Sequence, residues 1–304
     1  MTSSVSERFT FSQRGSMSLL VTMSLLNGLT LAALLFITAS GLTLSFSLMR
    51  VVNLTHGALY MAGGFIGMSV IKVTGSWLLA LLAGGGVMAV LALLEEKFLL
   101  RRARGNDLVE TLISLSVAII IGDLVLVIWG GYPRTIEIPA ILSGIWTIPV
   151  IGLIYPVFRI FMLGLAIFII VALWLFLKKT NLGITIRAGV DNFEMVAALG
   201  INVRRLFTIV FCLSGFLAGV AGVVGGTFMM LVVGEDWRIL TLTLIVIIIG
   251  GMGSLGGTVA GALITGLVYS FATAYIPEFS LFILFLPVAV ILSIRPHGLF
   301  GTKA

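Results

Sequence analysis

The chain has 304 residues, of which 60% are hydrophobic and only 10% are charged, and its mean hydropathy is +1.22. So little polar surface excludes a water-soluble globular protein and predicts an integral membrane protein. The net charge of +6 does not indicate nucleic-acid binding, because the Lys and Arg residues fall in short groups between apolar runs.

Residues 1–18 form a polar tail, residues 19–295 form one transmembrane domain, and residues 296–304 form a second tail. A hydrocarbon core needs roughly 20 apolar residues per helix, so the pattern predicts an all-α, polytopic bundle of about eight or nine helices. The first run lacks a small-residue cleavage site and is too long for a signal peptide, which indicates a retained span. The apolar runs fall at about 19–47, 57–73, 77–95, 109–129, 157–177, 206–233, 238–253, 257–275 and 279–294.

Three groups of basic residues separate these runs and predict which loops are cytoplasmic. They lie at 97–104, at 178–205 and from Arg295 to the C-terminus. The C-terminus is therefore expected on the cytoplasmic side of a cell inner membrane. The side of the N-terminus stays open, because nine spans with a cytoplasmic C-terminus would place Arg8 and Arg14 outside. Either the first run contains two elements, or one span is re-entrant.

Polar residues between the first two runs form the first candidate functional segment, from Arg50 to Gly57. Polar side chains near hydrocarbon are costly unless they pair or line a cavity. The segment is either a short loop at the membrane surface or a broken helix whose backbone lines a pathway. Asn53, Thr55 and His56 are the pathway candidates in this segment.

Asp123 is the one acid well inside a predicted span, which makes it a further pathway candidate. The loop that follows this span, 130–156, contains three aromatic residues and four prolines and comes directly after Trp129, which predicts an interfacial segment on the outer surface. That loop either anchors the bundle at the headgroups or contacts an external partner.

The basic loop at 179–205 predicts a short helix near 192–199. Asp191 followed by Glu194 resembles a capping box, and Gly200 is a natural helix end. The helix carries too many apolar side chains to face water alone, so something is expected to cover it. It either docks on the base of its own bundle or is offered to a soluble partner subunit.

Glycine-rich motifs predict close packing and not catalysis. Residues 250–257 contain a G-x-G-x-x-G pattern, but both flanks are apolar spans, which favours a tight reversal over a dinucleotide site. Three G-x-x-x-G pairs predict close helix contacts: Gly63 with Gly67, Gly215 with Gly219, and Gly257 with Gly261. No P-loop, metal cluster or nucleophile–base pair is present, so we expect no enzyme activity in this chain.

Three of these blocks resemble the permease subunits of branched-chain amino acid ABC importers. The first runs from Gly41 to Gly64 and contains Met49-Arg50-Val51-Val52-Asn53-Leu54-Thr55-His56-Gly57. The second contains Arg187-Ala188, Glu194, Ala197 and Gly200-Ile201-Asn202, and the third is 250–257. The chain departs from the family pattern at Leu54-Thr55 and Ala58, and at Gly122-Asp123.

The resemblance implies a passive conduit for a small polar solute, such as a branched-chain amino acid. Its partners would be a second permease subunit, cytoplasmic ATPase subunits and an external binding protein. No cofactor would bind this chain, and ATP and Mg would bind the ATPases. The residues implied to couple to the ATPase are Arg187, Ala188, Glu194, Ala197 and Gly200. The alternative function is an ion-coupled secondary transporter, for which Asp123 and residues 50–57 are the supporting features.

Overall fold

The computed structural model describes residues 3–49, 51–148, 153–191 and 193–301, and it is a helix bundle. Arg50 and the Glu194 side chain, both singled out above, lie outside the described part. A β-hairpin, β1 (Ile145–Ile148) with β2 (Leu153–Pro156), lies in the loop before α6 and was not predicted. The helices are α1 (Ser3–Met49), α2 (Thr55–Thr74), α3 (Trp77–Glu95), α4 (Arg101–Ala103), α5 (Asp107–Trp129), α6 (Val157–Lys179), α7 (Asn181–Asp191), α8 (Phe193–Ala198), α9 (Val203–Phe228), α10 (Glu235–Gly250), α11 (Leu255–Tyr275) and α12 (Ser280–Ile294).

In the described part of the chain, eight helices are long and apolar enough to cross a membrane, which confirms the predicted polytopic bundle. The run predicted at 238–253 differs, because it forms α10, which has only 16 residues. At 1.5 Å per residue, that helix is about 24 Å long, shorter than the hydrocarbon core. Residues 229–234 are irregular chain and precede it.

Helix α9 lies at the centre of the bundle and packs against α1, α2 and α3. The predicted glycine pairs make these contacts: a Cβ on Gly63 would lie 2.5 Å from the Cα of Gly219. Likewise, a Cβ on Gly215 would lie 2.6 Å from the carbonyl oxygen of Met88. Small residues allow the backbones to approach where lipid supplies no hydrophobic drive for helix association.

The first apolar run is one continuous helix, so the alternative of two elements is wrong. Near its start, Asn27 accepts a hydrogen bond from Arg159 at the beginning of α6. Near its end, Thr43 and Ser47 lie beside Arg187 of α7. We call the end of the bundle that holds α4, α7 and α8 the basic end. Helix α1 therefore runs from the opposite end to the basic end.

Residues 229–234 together with α10 make a ninth crossing from one end of the bundle to the other. At the opposite end, Arg134 donates a backbone hydrogen bond to Leu231 (N–O 2.9 Å). At the basic end, Gly251 packs against Gly298 and Gly301 of the C-terminal segment. Together with the eight long helices, this segment gives nine crossings. Because nine is odd, the start of α1 and the C-terminal segment lie at opposite ends of the bundle.

Candidate functional site

Helix α2 begins inside the bundle and not at its surface. The imidazole of His56, its second residue, lies 2.8 Å (Nε2) from the carbonyl oxygen of Thr38 and 3.5 Å (Nδ1) from the hydroxyl of Ser214. Thr38 precedes the end of α1 by 11 residues, and Ser214 follows the start of α9 by 11, which is about 16 Å along each helix. This depth fits the broken-helix interpretation of the segment better than a surface loop.

Side-chain hydrogen bonds satisfy the backbone where α2 begins. The Asn53 carbonyl oxygen accepts from the Thr55 amide at 3.0 Å, and the Ser114 hydroxyl accepts from the Leu54 amide at 3.2 Å. Buried backbone groups in a membrane need such partners, because no water is available to replace them. Asn53 is thus placed as a cap for this helix start.

Thr55 connects the helix start to a carboxyl group that sequence analysis did not identify. Its hydroxyl lies 2.6 Å from Oε1 of Glu95 and 2.9 Å from the carbonyl oxygen of Ser114. Glu95 is only 4% exposed, and its Oε2 has no hydrogen-bond partner among the described residues. The adjacent acids Glu95-Glu96 at the end of an apolar run were the available signal. Thr55, Glu95 and Ser114 form what we call the buried polar cluster.

His56 is fully buried between α1 and α9. A carbonyl oxygen can only accept a hydrogen bond, so Nε2 must carry the proton that it donates to Thr38, and Nδ1 accepts from Ser214. Gly41 faces the ring, since a Cβ there would lie 2.9 Å from Cε1 of His56. The geometry makes His56 a brace between three helices.

The start of α10 lies beside the start of α2. A Cβ on Gly57 would collide with the carbonyl oxygen of Asp236 and would lie 2.9 Å from Cβ of Leu240. Two helix N-termini, each with a partial positive charge, therefore meet within the bundle. Asp236, buried in the first turn of α10, supplies a compensating carboxyl group there. Discontinuous helices of this kind are found at the substrate sites of transporters.

At the basic end, the predicted coupling loop is mostly helical. Asp191 is the last residue of α7, whose amphipathic pattern runs back to Asn181. The Asp191 and Glu194 side chains of the predicted capping box lie outside the described part, so the capping box stays a prediction. Helix α8 begins at Phe193, and Gly200 has a φ of 78°, the left-handed conformation predicted for the helix end. Ala197 and Gly200 are exposed, as is Leu199, which is 73% exposed.

A cavity of about 230 Å³ joins the coupling loop to the glycine-rich turn. Arg187 of α7 lines it together with Ser47 of α1 and Gly253, which has a φ of 85° in the turn between α10 and α11. Ala188, next to Arg187, is exposed. Two of the motifs found in sequence are therefore neighbours at the basic end, and α10 connects their cavity to the start of α2.

Asp123 stands apart from these residues. It is exposed on α5, beside Ile119, Ile120 and Leu124, which are also exposed. The structure therefore brings Asn53, Thr55 and His56 together but does not add Asp123 to them. Within the described ranges, no three His, Cys, Asp or Glu side chains are placed to hold a metal ion.

Comparison with known proteins identifies a family for most of the chain. The family model described as "Branched-chain amino acid transport system / permease component" matches residues 24–292. The permease protein LivH of Salmonella typhimurium, from a high-affinity branched-chain amino acid transport system, is 26% identical over 90% of this chain and 94% of its own length. BraD of Pseudomonas aeruginosa is 24% identical over 91% and 94%, and a probable LivH of Methanocaldococcus jannaschii is 28% identical over 80% and 78%.

Proposed function

The chain belongs to the permease component family of branched-chain amino acid transport systems, and on that premise we propose that it is the membrane-spanning subunit of an ABC importer. It is a multi-pass membrane protein of a transport family, and its relatives are named as branched-chain amino acid permeases. The proposed solute is a branched-chain or related amino acid.

The proposed partners are a second permease subunit, cytoplasmic ATPase subunits that bind ATP and Mg, and an external binding protein. This chain would then supply the passage and no catalysis. The positions of its basic loops support an orientation in a cell inner membrane with the basic end and the C-terminus in the cytoplasm. The opposite end, with the 130–156 loop, would face the binding protein.

The observation that carries the coupling role is the exposed apolar surface of α8 and the residues just after it. Leu199 and Ile201 are exposed there, and Val196 is buried. Helix α7, which contacts α8, lines the cavity shared by Arg187 and Gly253. We propose that an ATPase bound to α8 displaces it, and that the displacement moves the glycine-rich turn, α10 and the start of α2. This movement would shift the equilibrium between the outward-open and inward-open bundle.

Copurification with candidate ATPases, followed by uptake into liposomes, tests this proposal. Leu199→Glu should prevent ATPase binding because it places a charge in an apolar contact, and Gly200→Pro should do so because proline cannot adopt a φ of 78°. The matched control for ATPase copurification is Ile141→Glu at the opposite end, where the native side chain is 92% exposed. It is not a control for uptake, because its loop is proposed to face the binding protein. ATP-driven uptake that survives Leu199→Glu and Gly200→Pro would contradict the proposal.

A second candidate function, an ion-coupled transporter, is favoured by one observation. Glu95 is a buried carboxyl group with an unpartnered oxygen, beside the break between α1 and α2. Such groups are typical of ion and proton pathways. This function predicts uptake that is driven by a proton or sodium gradient without ATPases, is lost in Glu95→Gln and is unchanged in Leu199→Glu. The same liposomes distinguish the two functions.

A further inference from the structure

A solvent-accessible cavity of about 310 Å³ lies at the end of the bundle that is proposed to face outward. We call it the outer pit. It lies between the first part of α1, the end of α9 and α11, far from the buried polar cluster. Its volume is in the range of small-molecule sites. Its lining residues are Ser24, Asn27, Leu31, Phe228, Met229, Tyr269, Ser270, Thr273 and Ala274.

The side chain of Arg159 does not itself line the outer pit, but it contacts two residues that do. Its guanidinium donates to the Asn27 carbonyl oxygen and lies 5.4 Å from the ring centre of Phe228, and both of these residues line the pit. A positive charge on this side of the membrane runs against the usual bias of membrane proteins. The simplest structural role for it is an interfacial anchor, but that role does not require contact with two lining residues.

No described acidic side chain forms an ion pair with Arg159. Among the described side chains, ion pairs join Glu96 to Arg101 and Arg104, and Glu235 to Arg238. Asn27 uses one of the five guanidinium N–H groups of Arg159, so others remain for a ligand. A planar guanidinium matches a carboxylate in a two-hydrogen-bond geometry.

The remaining lining suits the other parts of an amino acid. Leu31, Phe228 and Met229 offer an apolar surface for an aliphatic side chain. The hydroxyl of Ser270 donates to the Ser24 carbonyl oxygen at 2.8 Å, which leaves the lone pairs of Ser270 available to an ammonium group. Apolar walls with a few convergent polar groups are typical of small-ligand sites.

We propose that the outer pit is a binding site for a free α-amino acid with an aliphatic side chain, whose carboxylate pairs with Arg159. The inference rests on the proposed function, since an importer of such a solute needs a place to receive it from the outer side. The same chemistry would accept the phosphate of an anionic lipid, so the test must separate the two ligands.

A cysteine-protection experiment tests the site directly. In a Cys212→Ser background, Thr273→Cys places a thiol in the pit, and Ala274→Cys serves as a second reporter. The full-length chain, with any subunits that copurify, is placed in phosphatidylcholine nanodiscs and treated with a hydrophilic thiol reagent. Leucine at about ten times its dissociation constant should slow labelling roughly tenfold, and leucinamide, which lacks the carboxylate, should not.

Arg159→Gln should weaken this protection about tenfold or more, because a charge-assisted pair is lost. Lys72→Gln removes the same charge from the exposed end of α2, outside the pit, and should leave protection unchanged. Equal effects of the two substitutions, or no protection by leucine in the native background, would overturn the proposal. Protection that appears only after phosphatidylglycerol is added to the nanodiscs would also overturn the proposal, because it would assign the site to lipid. ATP-driven uptake, measured separately, reports on the proposed function alone.

Discussion

Single residues at the break between α1 and α2 show how a polar segment is accommodated in an apolar bundle. The Asn53 and Ser114 side chains accept from the backbone amides of Thr55 and Leu54 at the break, and the Thr55 hydroxyl donates to Glu95. Each of these hydrogen bonds removes the cost of an unsatisfied group, which is larger than the net gain from forming the bond. The exception is Oε2 of Glu95.

Substitution of Thr55 measures the value of the buried polar cluster. Thr55→Val removes the hydroxyl that contacts Glu95, so we expect a loss of about 1–3 kcal/mol in the free energy of unfolding. Thr55→Ser keeps the hydroxyl and should lose under about 1 kcal/mol. Both are measured by reversible denaturation in mixed micelles. A loss in Thr55→Ser with none in Thr55→Val would show that packing of the methyl group matters and that the hydrogen bond does not.

The Glu96 side chain provides a second residue-scale test at the basic end. It is fully buried and accepts from Arg101 at 2.8 Å and from Arg104 at 3.0 Å, and the Thr208 hydroxyl donates to it at 2.8 Å. Glu96→Gln leaves two cations without their counter-charge, which should cost about 3 kcal/mol or more. The combined Glu96→Gln, Arg101→Gln variant should recover part of that loss in the same assay. No recovery would contradict an ionic role for Glu96.

At the scale of elements, the contact between α3 and α9 is set by glycines that differ sharply in their surroundings. A Cβ on Gly84 would lie 2.7 Å from Cγ2 of Val223 and 2.8 Å from the carbonyl oxygen of Gly63. A Cβ on Gly86, two residues along the same helix, would meet nothing within 4 Å. The two positions therefore separate close packing from backbone flexibility.

We expect Gly84→Ala to destabilise the bundle by about 1–3 kcal/mol, because the added methyl group forces the helices apart. Gly86→Ala should be neutral or stabilise by up to about 1 kcal/mol, because alanine favours the helix and nothing is displaced. Unfolding of both variants in detergent gives the comparison. If Gly86→Ala were as costly as Gly84→Ala, close contact would not be the reason for glycine at position 84.

Elements also show what the sequence could and could not predict. Apolar length located the eight long helices, and the glycine spacing identified the contact between Gly63 and Gly219. Hydropathy carries no information about depth, so it could not show that α2 and α10 begin inside the bundle. Glu95 was missed because an acid at the end of an apolar run resembles an interfacial residue.

At the scale of the whole molecule, nine crossings of the bundle place the start of α1 and the C-terminal segment at opposite ends. This arrangement follows from the contacts of Asn27 with Arg159 and of Gly251 with Gly298. With the proposed cytoplasmic C-terminus, the start of α1 would lie outside, against the usual bias for Arg8 and Arg14. The bias is weighted over all loops, and most basic residues lie at the other end.

Thiol accessibility tests this topology. In the Cys212→Ser background, Ile141→Cys should react with an impermeant maleimide in intact spheroplasts, because it lies in the loop at the opposite end. Leu199→Cys should react only in inverted vesicles stripped of ATPase subunits. Labelling of Leu199→Cys in intact spheroplasts would reverse the proposed orientation.

The C-terminal segment closes the exposed end of α10: the amides of Leu299 and Phe300 donate to the carbonyl oxygens of Ile249 and Gly250, at 3.0 and 2.9 Å. Leu299 and Phe300 leave the ribosome some fifty residues after the end of the helix that they complete. During synthesis, the carbonyl groups of Ile249 and Gly250 therefore lack these hydrogen-bond donors until the C-terminal segment has been made. Truncation before Leu299 would remove both donors and leave the carbonyl groups of Ile249 and Gly250 without them throughout the life of the protein.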